Sequence, residues 1–476
     1  MRRAPACAAL LAGTLVLAGA QAGESTGAAS RQLARELLQQ LVEINTTDSV
    51  GNVTEAAEAM AQRFRAAGFA AADVQLLGPS PKKQNLVVRL RGSGAHQPLL
   101  LLGHLDVVEA PREDWATDPF RLVEKDGYFY GRGTLDMKNG VAVMVTTLLE
   151  MKREGFRPAR DIILALTADE EGGTANGVQW LYQNRPELIA AELAINQDDW
   201  SIPTENGRAV VFNLAASEKL YADFELSVSN PGGHSSEPGP ENAIYTLTQA
   251  LDRLAAYQFP FELNAVTRAY YQRRAALESG QRAADMRAIV REPPDPQAIR
   301  RLSQDIRDRS TTHTTCVPTR LEAGHANNAL PQRAQAVVNC RILPGHSAEE
   351  IRQQLQQVVA NAQVRVRYLG SDGRALEQAP QARALPPTEV TPEMLNLLQQ
   401  VAQQIWPQIV VIPFMEVGTS DSEYSMAAGV PTYTFGAVPF DPDDDRAHGR
   451  DERVAVNSFY QDNEFFRRYL RALTAR

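Results

Sequence analysis

Several things are scarce or missing in this chain of 476 residues. Cysteine occurs three times, and one of the three, Cys7, lies in the first few residues. A basic surplus is absent: 48 Lys and Arg stand against 57 Asp and Glu, a formal charge of −9, and no basic stripe with interleaved aromatics occurs. That excludes a nucleic-acid partner, because neutralising phosphates needs a positive surface. Beyond the first residues no apolar run approaches the roughly 20 residues of a membrane span. No internal repeat appears, and no low-complexity tract outside the leader. The acidic string 441–445 lacks the glycine and terminal glutamate spacing of an EF-hand, so it reads as a solvated loop. What remains is an ordinary globular composition, 44% hydrophobic and 22% charged, in a chain long enough for two domains.

The first residues look like an address. Arg2 and Arg3 precede an apolar stretch over 4–18, and Ala20 and Ala22 offer small residues at both recognition positions. This predicts a signal peptide over 1–22, cleaved after Ala22, and a periplasmic or secreted protein with no stable membrane span afterwards. Cys316 and Cys340 then share an oxidising compartment. They lie in two strand-like runs around a turn near Asn328, so a hairpin centred there sets them opposite each other. A cross-strand disulfide and two reduced buried thiols are both open readings.

Two apolar runs end abruptly in ionisable groups: LLLLGHLD over 99–106 and IILALTADEE over 162–171. Runs apolar on both faces are buried strands, and the polar residues closing them sit at carboxyl ends, where open α/β sheets build ligand crevices. Between them stands GRGTLDMKNG over 131–140, and late in the chain His448. Imidazole and carboxylate together suit Zn²⁺ and its divalent neighbours, and two such ions can share a bridging carboxylate. His104 and Asp136 are candidate ligand and bridge. Asp106, two residues beyond His104 in an extended segment, is placed to accept the second imidazole N–H. The neighbours Glu170 and Glu171 point differently, which suits Glu171 as ligand and Glu170 as a base that takes a proton from water. His96, His313, His325 and His346 read as surface or structural histidines.

With HLD, GRGTLDMK, TADEEGG, NPGGHSSEP, NALP, GTSDS and His448 in that order, the chain resembles the zinc metallopeptidases that include aminoacylase, carboxypeptidase G, acetylornithine deacetylase and succinyl-diaminopimelate desuccinylase. The resemblance covers nearly all of the chain after residue 30. It implies two Zn²⁺ per subunit, with Co²⁺ or Mn²⁺ as alternatives, bound by His104, Asp136, Glu171, Asp198 and His448, with Asp136 bridging. The fourth acid is the loosest carry-over: Gln197 stands at one family position, so Asp198 is chosen and Asp199 stays open. The resemblance also implies hydrolysis of an amide beside a free carboxylate, and a homodimer whose inserted domain brings His234 to the partner's site. Asn328 and Arg341 match substrate-holding positions, and an arginine there suits bidentate binding of a carboxylate. Gly418, Thr419 and Ser420 match a backbone loop that completes the carboxylate pocket.

The expected fold class is α/β: a catalytic domain with a central mixed sheet over 30–214 and 371–476, interrupted by a lid or dimerisation domain over 215–370. In the interruption, strand and helix patterns follow the order β-α-β-β-α-β, which is ferredoxin-like. An Arg-rich stretch over 267–308 breaks that unit and reads as helical. Three functions compete: a carboxypeptidase or dipeptidase, favoured slightly by export; an N-acyl amino acid amidohydrolase; and a noncatalytic binding protein on the same scaffold, against which Glu170 and the ligand set argue.

Overall fold

The computed structural model describes residues 11–370, 372–381 and 385–475, with side chains from residue 27 onward. Of the leader expected over 1–22, residues 1–10 lie outside the described residues; the backbone of the remainder opens the helix Leu11–Val42. Among the described residues no helix is long and apolar enough to cross a membrane.

The larger body is built on an eight-stranded mixed sheet. Across it lie Val74–Leu77, Asn85–Leu90, Arg160–Thr167, His96–His104, Leu193–Asn196, Thr432–Thr434, Val211–Glu218 and Val410–Glu416. The four central strands are mutually parallel, so the ends of Arg160–Thr167, His96–His104 and Leu193–Asn196 emerge along one edge. Their side chains alternate between two cores. Leu99, Leu101, Ile162 and Leu164 face the helices Leu11–Val42, Lys138–Arg153 and Val456–Thr474; Leu100, Leu102, Ile163 and Ala165 face Val178 and Leu181 of the opposite layer. All eight strand residues are fully buried, each large one contributing about 1.5–3 kcal/mol. This two-sided burial is why the sequence shows continuous apolar runs instead of alternation.

The second sheet has the order Thr315–Ala323, Arg333–Ile342, Leu220–Ser229, Arg365–Leu369, Ala375–Leu376, antiparallel throughout. With the helices Ala243–Ala256 and Ala348–Val359 it is the ferredoxin-like unit that the pattern predicts. Arg333–Ile342 shows the one-sided signature: Ala334, Ala336, Val338, Cys340 and Ile342 are buried, while Val337, Asn339 and Arg341 are partly exposed on the other face. Cys316 lies opposite Cys340 and the two are disulfide-bonded, which settles the alternative the sequence left open.

The Arg-rich stretch is four short helices, Ala265–Arg274, Gly280–Ile289, Pro296–Leu302 and Ile306–Thr312, around a small core of Tyr271, Met286, Ile289 and Leu302. Its first helix packs on the outer strand Val410–Glu416 of the large sheet, with the Tyr270 and Phe414 rings 5.7 Å apart. An otherwise open sheet edge is thereby covered.

Candidate metal centre

Three parallel strand ends and two loops converge on one acidic pocket. His104 closes its strand and is 1% exposed. Asp198 follows the strand Leu193–Asn196, and Asp169, Glu170 and Glu171 follow Arg160–Thr167. Asp136 arrives on the loop before the helix Lys138–Arg153, and His448 on the loop before Val456–Thr474. The Asp136 loop turns at Gly133, whose φ of +86° and lack of Cβ are both needed, since a Cβ there would lie 2.8 Å from Lys138 Cδ.

The distances arrange the cluster around Asp136. His104 Nε2 lies 3.2 Å from Asp136 Oδ1 and 3.4 Å from Asp198 Oδ1. His448 Nε2 lies 2.9 Å from the other oxygen, Asp136 Oδ2, and 2.9 Å from Glu171 Oε2. Ligand atoms of His104, Glu170 and Asp198 also lie within 4.8 Å of one another, and so do those of His104, Asp136 and Glu171.

Four carboxylates, those of Asp136, Glu170, Glu171 and Asp198, thus share the pocket with two imidazoles. Among the described residues no lysine or arginine stands within ion-pair distance of any of them. Burial pushes Glu171 up to about 7, and burial together with the Asp198 charge pushes Glu170 well above the usual carboxylate range. Burial also works against ionised Asp136, but its bonds to His104 and His448 outweigh that and hold it low. Hydrogen bonds to Asp136 and Glu171 lift His448 to about 10. So concentrated a negative field with N and O donors is what a divalent cation relieves, and ligands of one tetrahedral zinc sit roughly 3.3 Å apart. The residues fit a metal centre.

Asp106 does something other than the sequence reading expects. The N–H at His104 Nδ1 faces the Asp106 backbone carbonyl at 3.0 Å, while the Asp106 carboxylate is 3.7 Å away. That carboxylate instead accepts the amides of Glu170 (3.2 Å) and Glu171 (2.9 Å). A buried carboxylate needs several donors, and two adjacent amides at a strand end supply them. Asp106 therefore fixes the turn that presents both glutamates.

Two further groups position the site: Asp421, which the sequence reading placed only in the carboxylate-pocket loop, and Lys83, which it did not single out. Asp421 accepts Thr167 Oγ1 at 2.9 Å and Asn176 Nδ2 at 2.6 Å, tying the 418–421 loop to the strand end before Glu170. Its place inside GTSDS is a signal that points to it. Lys83 pairs with Asp169 and Asp48, bracing the residue before Glu170; a lone loop lysine carries no signal.

The substrate-side residues lie on the smaller sheet and beside it. Arg341 stacks over Tyr221 at 4.7 Å and donates to Thr419 Oγ1 at 3.2 Å, and among the described residues no carboxylate lies within ion-pair distance of it. The loop amides are partly taken: Gly418 N donates to Glu416 Oε1 (3.3 Å) and Ser420 N to Glu218 Oε2 (3.0 Å), since those buried acids also need donors. His234 and Asn328 meet in the short ladder of Gly233–His234 with Ala329–Leu330, where Ser235 N donates to the Asn328 carbonyl at 3.2 Å. The exposed His234 ring bonds Ser236, and among the described residues no hydrogen bond or ion pair joins it to the carboxylate cluster.

The chain is similar to known proteins over most of its length. The profile of "Peptidase family M20/M25/M40" matches residues 100–472. The human protein named "N-fatty-acyl-amino acid synthase/hydrolase PM20D1" is 30% identical over 372 residues, 76% of this chain and 71% of its own length. "Probable carboxypeptidase S-like 2" of Dictyostelium discoideum is 28% identical over 380 residues, 78% of this chain and 70% of its own length. Among solved structures, an M20 family metallo-carboxypeptidase from Sulfolobus solfataricus superposes with a TM-score of 0.68 at 15% identity, covering 92% of this chain and 98% of that one; this likeness is one of fold.

Proposed function

Since the chain belongs to peptidase family M20/M25/M40, and is thus a metal-dependent hydrolase of the amide type, we propose that it is an exported dinuclear enzyme that cleaves the amide between an acyl group and an amino acid with a free α-carboxylate. The observation that carries this reading is Asp136, whose two oxygens face two different imidazoles, His104 and His448. His104, Asp136 and Asp198 would hold one ion; Asp136, Glu171 and His448 would hold the other. Zn²⁺ suits these donors, with Co²⁺ or Mn²⁺ as alternatives. When bound, the ions supply Lewis acidity that lowers the pKa of a water and polarises the scissile carbonyl.

The chain's own groups do the rest. Glu170 takes a proton from the attacking water and later returns it to the leaving amine. Arg341, which has no carboxylate partner among the described residues, receives the substrate carboxylate beside Thr419, and Asn328 holds the substrate next to it. His234 donates a hydrogen bond to the oxyanion of the tetrahedral intermediate. Among the described residues no hydrogen bond or ion pair joins His234 to the acidic cluster, which is consistent with its serving the site of a second copy. The exposed edge strand Thr315–Ala323, with Val317 and Leu321 open to solvent, supports a homodimer paired through this domain. The Cys316–Cys340 disulfide supports export.

The named function of the human relative favours an N-fatty-acyl amino acid as substrate. A second reading, a carboxypeptidase or dipeptidase, is favoured by the Dictyostelium relative. Hydrolysis of dipeptides against N-acetyl and N-long-chain-acyl amino acids, with and without chelator, decides between them. The proposal expects chelator-sensitive release from the long-chain acyl substrates; silence on every member with metal bound defeats it.

A further inference from the structure

Four residues beyond His448 the chain carries Glu452, a fully buried glutamate absent from the ligand set. Its carboxylate accepts four hydrogen bonds. Oε1 takes the amides of Leu135 (2.7 Å) and of Asp136 itself (3.0 Å). Oε2 takes the amide of Gly133 (3.0 Å) and Nη1 of Arg132 (2.7 Å). Arg132, 2% exposed, uses its other terminal nitrogen on the carbonyls of Glu109 (3.3 Å) and Gly449 (3.1 Å), and its guanidinium lies 5.1 Å from the Trp115 ring centroid.

One buried ion pair therefore ties three distant segments. It holds the loop that carries Asp136, the residue that follows His448, and the segment beyond Asp106. His448 needs such a hold. Its side chain is 54% exposed and its backbone has φ of +59°, in the left-handed region that is uncommon for residues other than glycine. His104, by contrast, is buried at the end of a central strand and paired there with Thr167.

We propose that Glu452, with Arg132, is a positioning residue that sets the spacing of Asp136 and His448, and so governs the affinity of the Asp136, Glu171, His448 half-site while leaving the His104, Asp198 half largely untouched. The inference rests on the dinuclear reading above. Groups that orient ligands in this way change metal affinity about 10–100-fold.

The test is stepwise binding of Co²⁺ to metal-free full-length protein, read by calorimetry and by the visible spectrum of the bound ion. Wild type is expected to bind two equivalents. Glu452→Gln should bind the first as wild type does and the second about 10–100-fold more weakly, with Arg132→Lys behaving likewise. In a His448→Ala background, Glu452→Gln should produce no further change. Equal weakening of both steps, or two unchanged steps, overturns the inference while leaving the dinuclear reading standing. If Glu452→Gln does not fold, the same outcomes are read from Arg132→Lys. A wild type that binds fewer than two equivalents overturns both.

Discussion

The two halves of the proposed metal centre are built on opposite principles. The His104 and Asp198 half grows out of neighbouring parallel strands whose apolar runs are buried on both faces, so its geometry is inherited from the core. The His448 half hangs on a loop, with an exposed imidazole in a left-handed backbone, and is held by the Arg132–Glu452 pair. One half is rigid because it is packed, the other because it is wired. Asp136 belongs to both and is where the two schemes must agree.

The strongest way to break this comparison is to remove what the halves share. Asp136→Ala should lose both metal equivalents, measured by elemental analysis after dialysis, with activity falling below detection. Removing one imidazole at a time should separate the halves. Each of His104→Ala and His448→Ala should lose one equivalent and nearly all turnover. Only His104→Ala should also destabilise the metal-free fold, by ~2 kcal/mol or more in denaturant unfolding, because it alone empties a closed site. Equal destabilisation by both would show that the loop half is packed too.

Glu170→Gln tests a group that serves both halves without holding either. It should lower kcat by about 10²–10⁴-fold with metal content unchanged. A smaller loss is expected from Asp106→Asn, which removes one acceptor from the turn bearing Glu170 and Glu171: about 10–100-fold in kcat, with the first metal step preserved. The smallest effect belongs to the inserted ferredoxin-like unit. Arg341→Lys keeps the charge but loses the fork, so KM should rise about tenfold, roughly one such bond, while both metal equivalents stay. A metal loss in that variant would tie that unit and the centre together more closely than the contacts imply.

The rigid half was legible in the sequence and the wired half only in outline. LLLLGHLD and IILALTADEE announce buried strands that end in the candidate ligands because core burial forces an apolar pattern with an abrupt stop. The β-α-β-β-α-β order of the inserted unit was legible for the same reason, as on the strand Arg333–Ile342 with its strict alternation. His448 was found by its place among the ordered motifs, its loop having no periodicity of its own. Glu452 and Arg132 were not found, because a lone glutamate in a loop reads as a solvated charge until the amides of Gly133, Leu135 and Asp136 are seen to point at it. The same holds for the Asp106 carboxylate, whose true partners lie more than sixty residues away on another strand end. Residue spacing along one segment says which side chains share a face, and says nothing about which distant amides a buried acid will collect. The four-helix insertion was recognisable as helical, but its seat on the outer strand Val410–Glu416 depends on an edge that only the assembled sheet defines.

The most direct test of the dinuclear centre is activity followed during metal titration. Protein stripped by chelator is titrated with Zn²⁺ while hydrolysis of an N-acyl amino acid is recorded. The account predicts no turnover before metal is added and most of the activity returning with the second equivalent, as the His448 half fills. Full activity without metal, or complete recovery at the first equivalent, would contradict it.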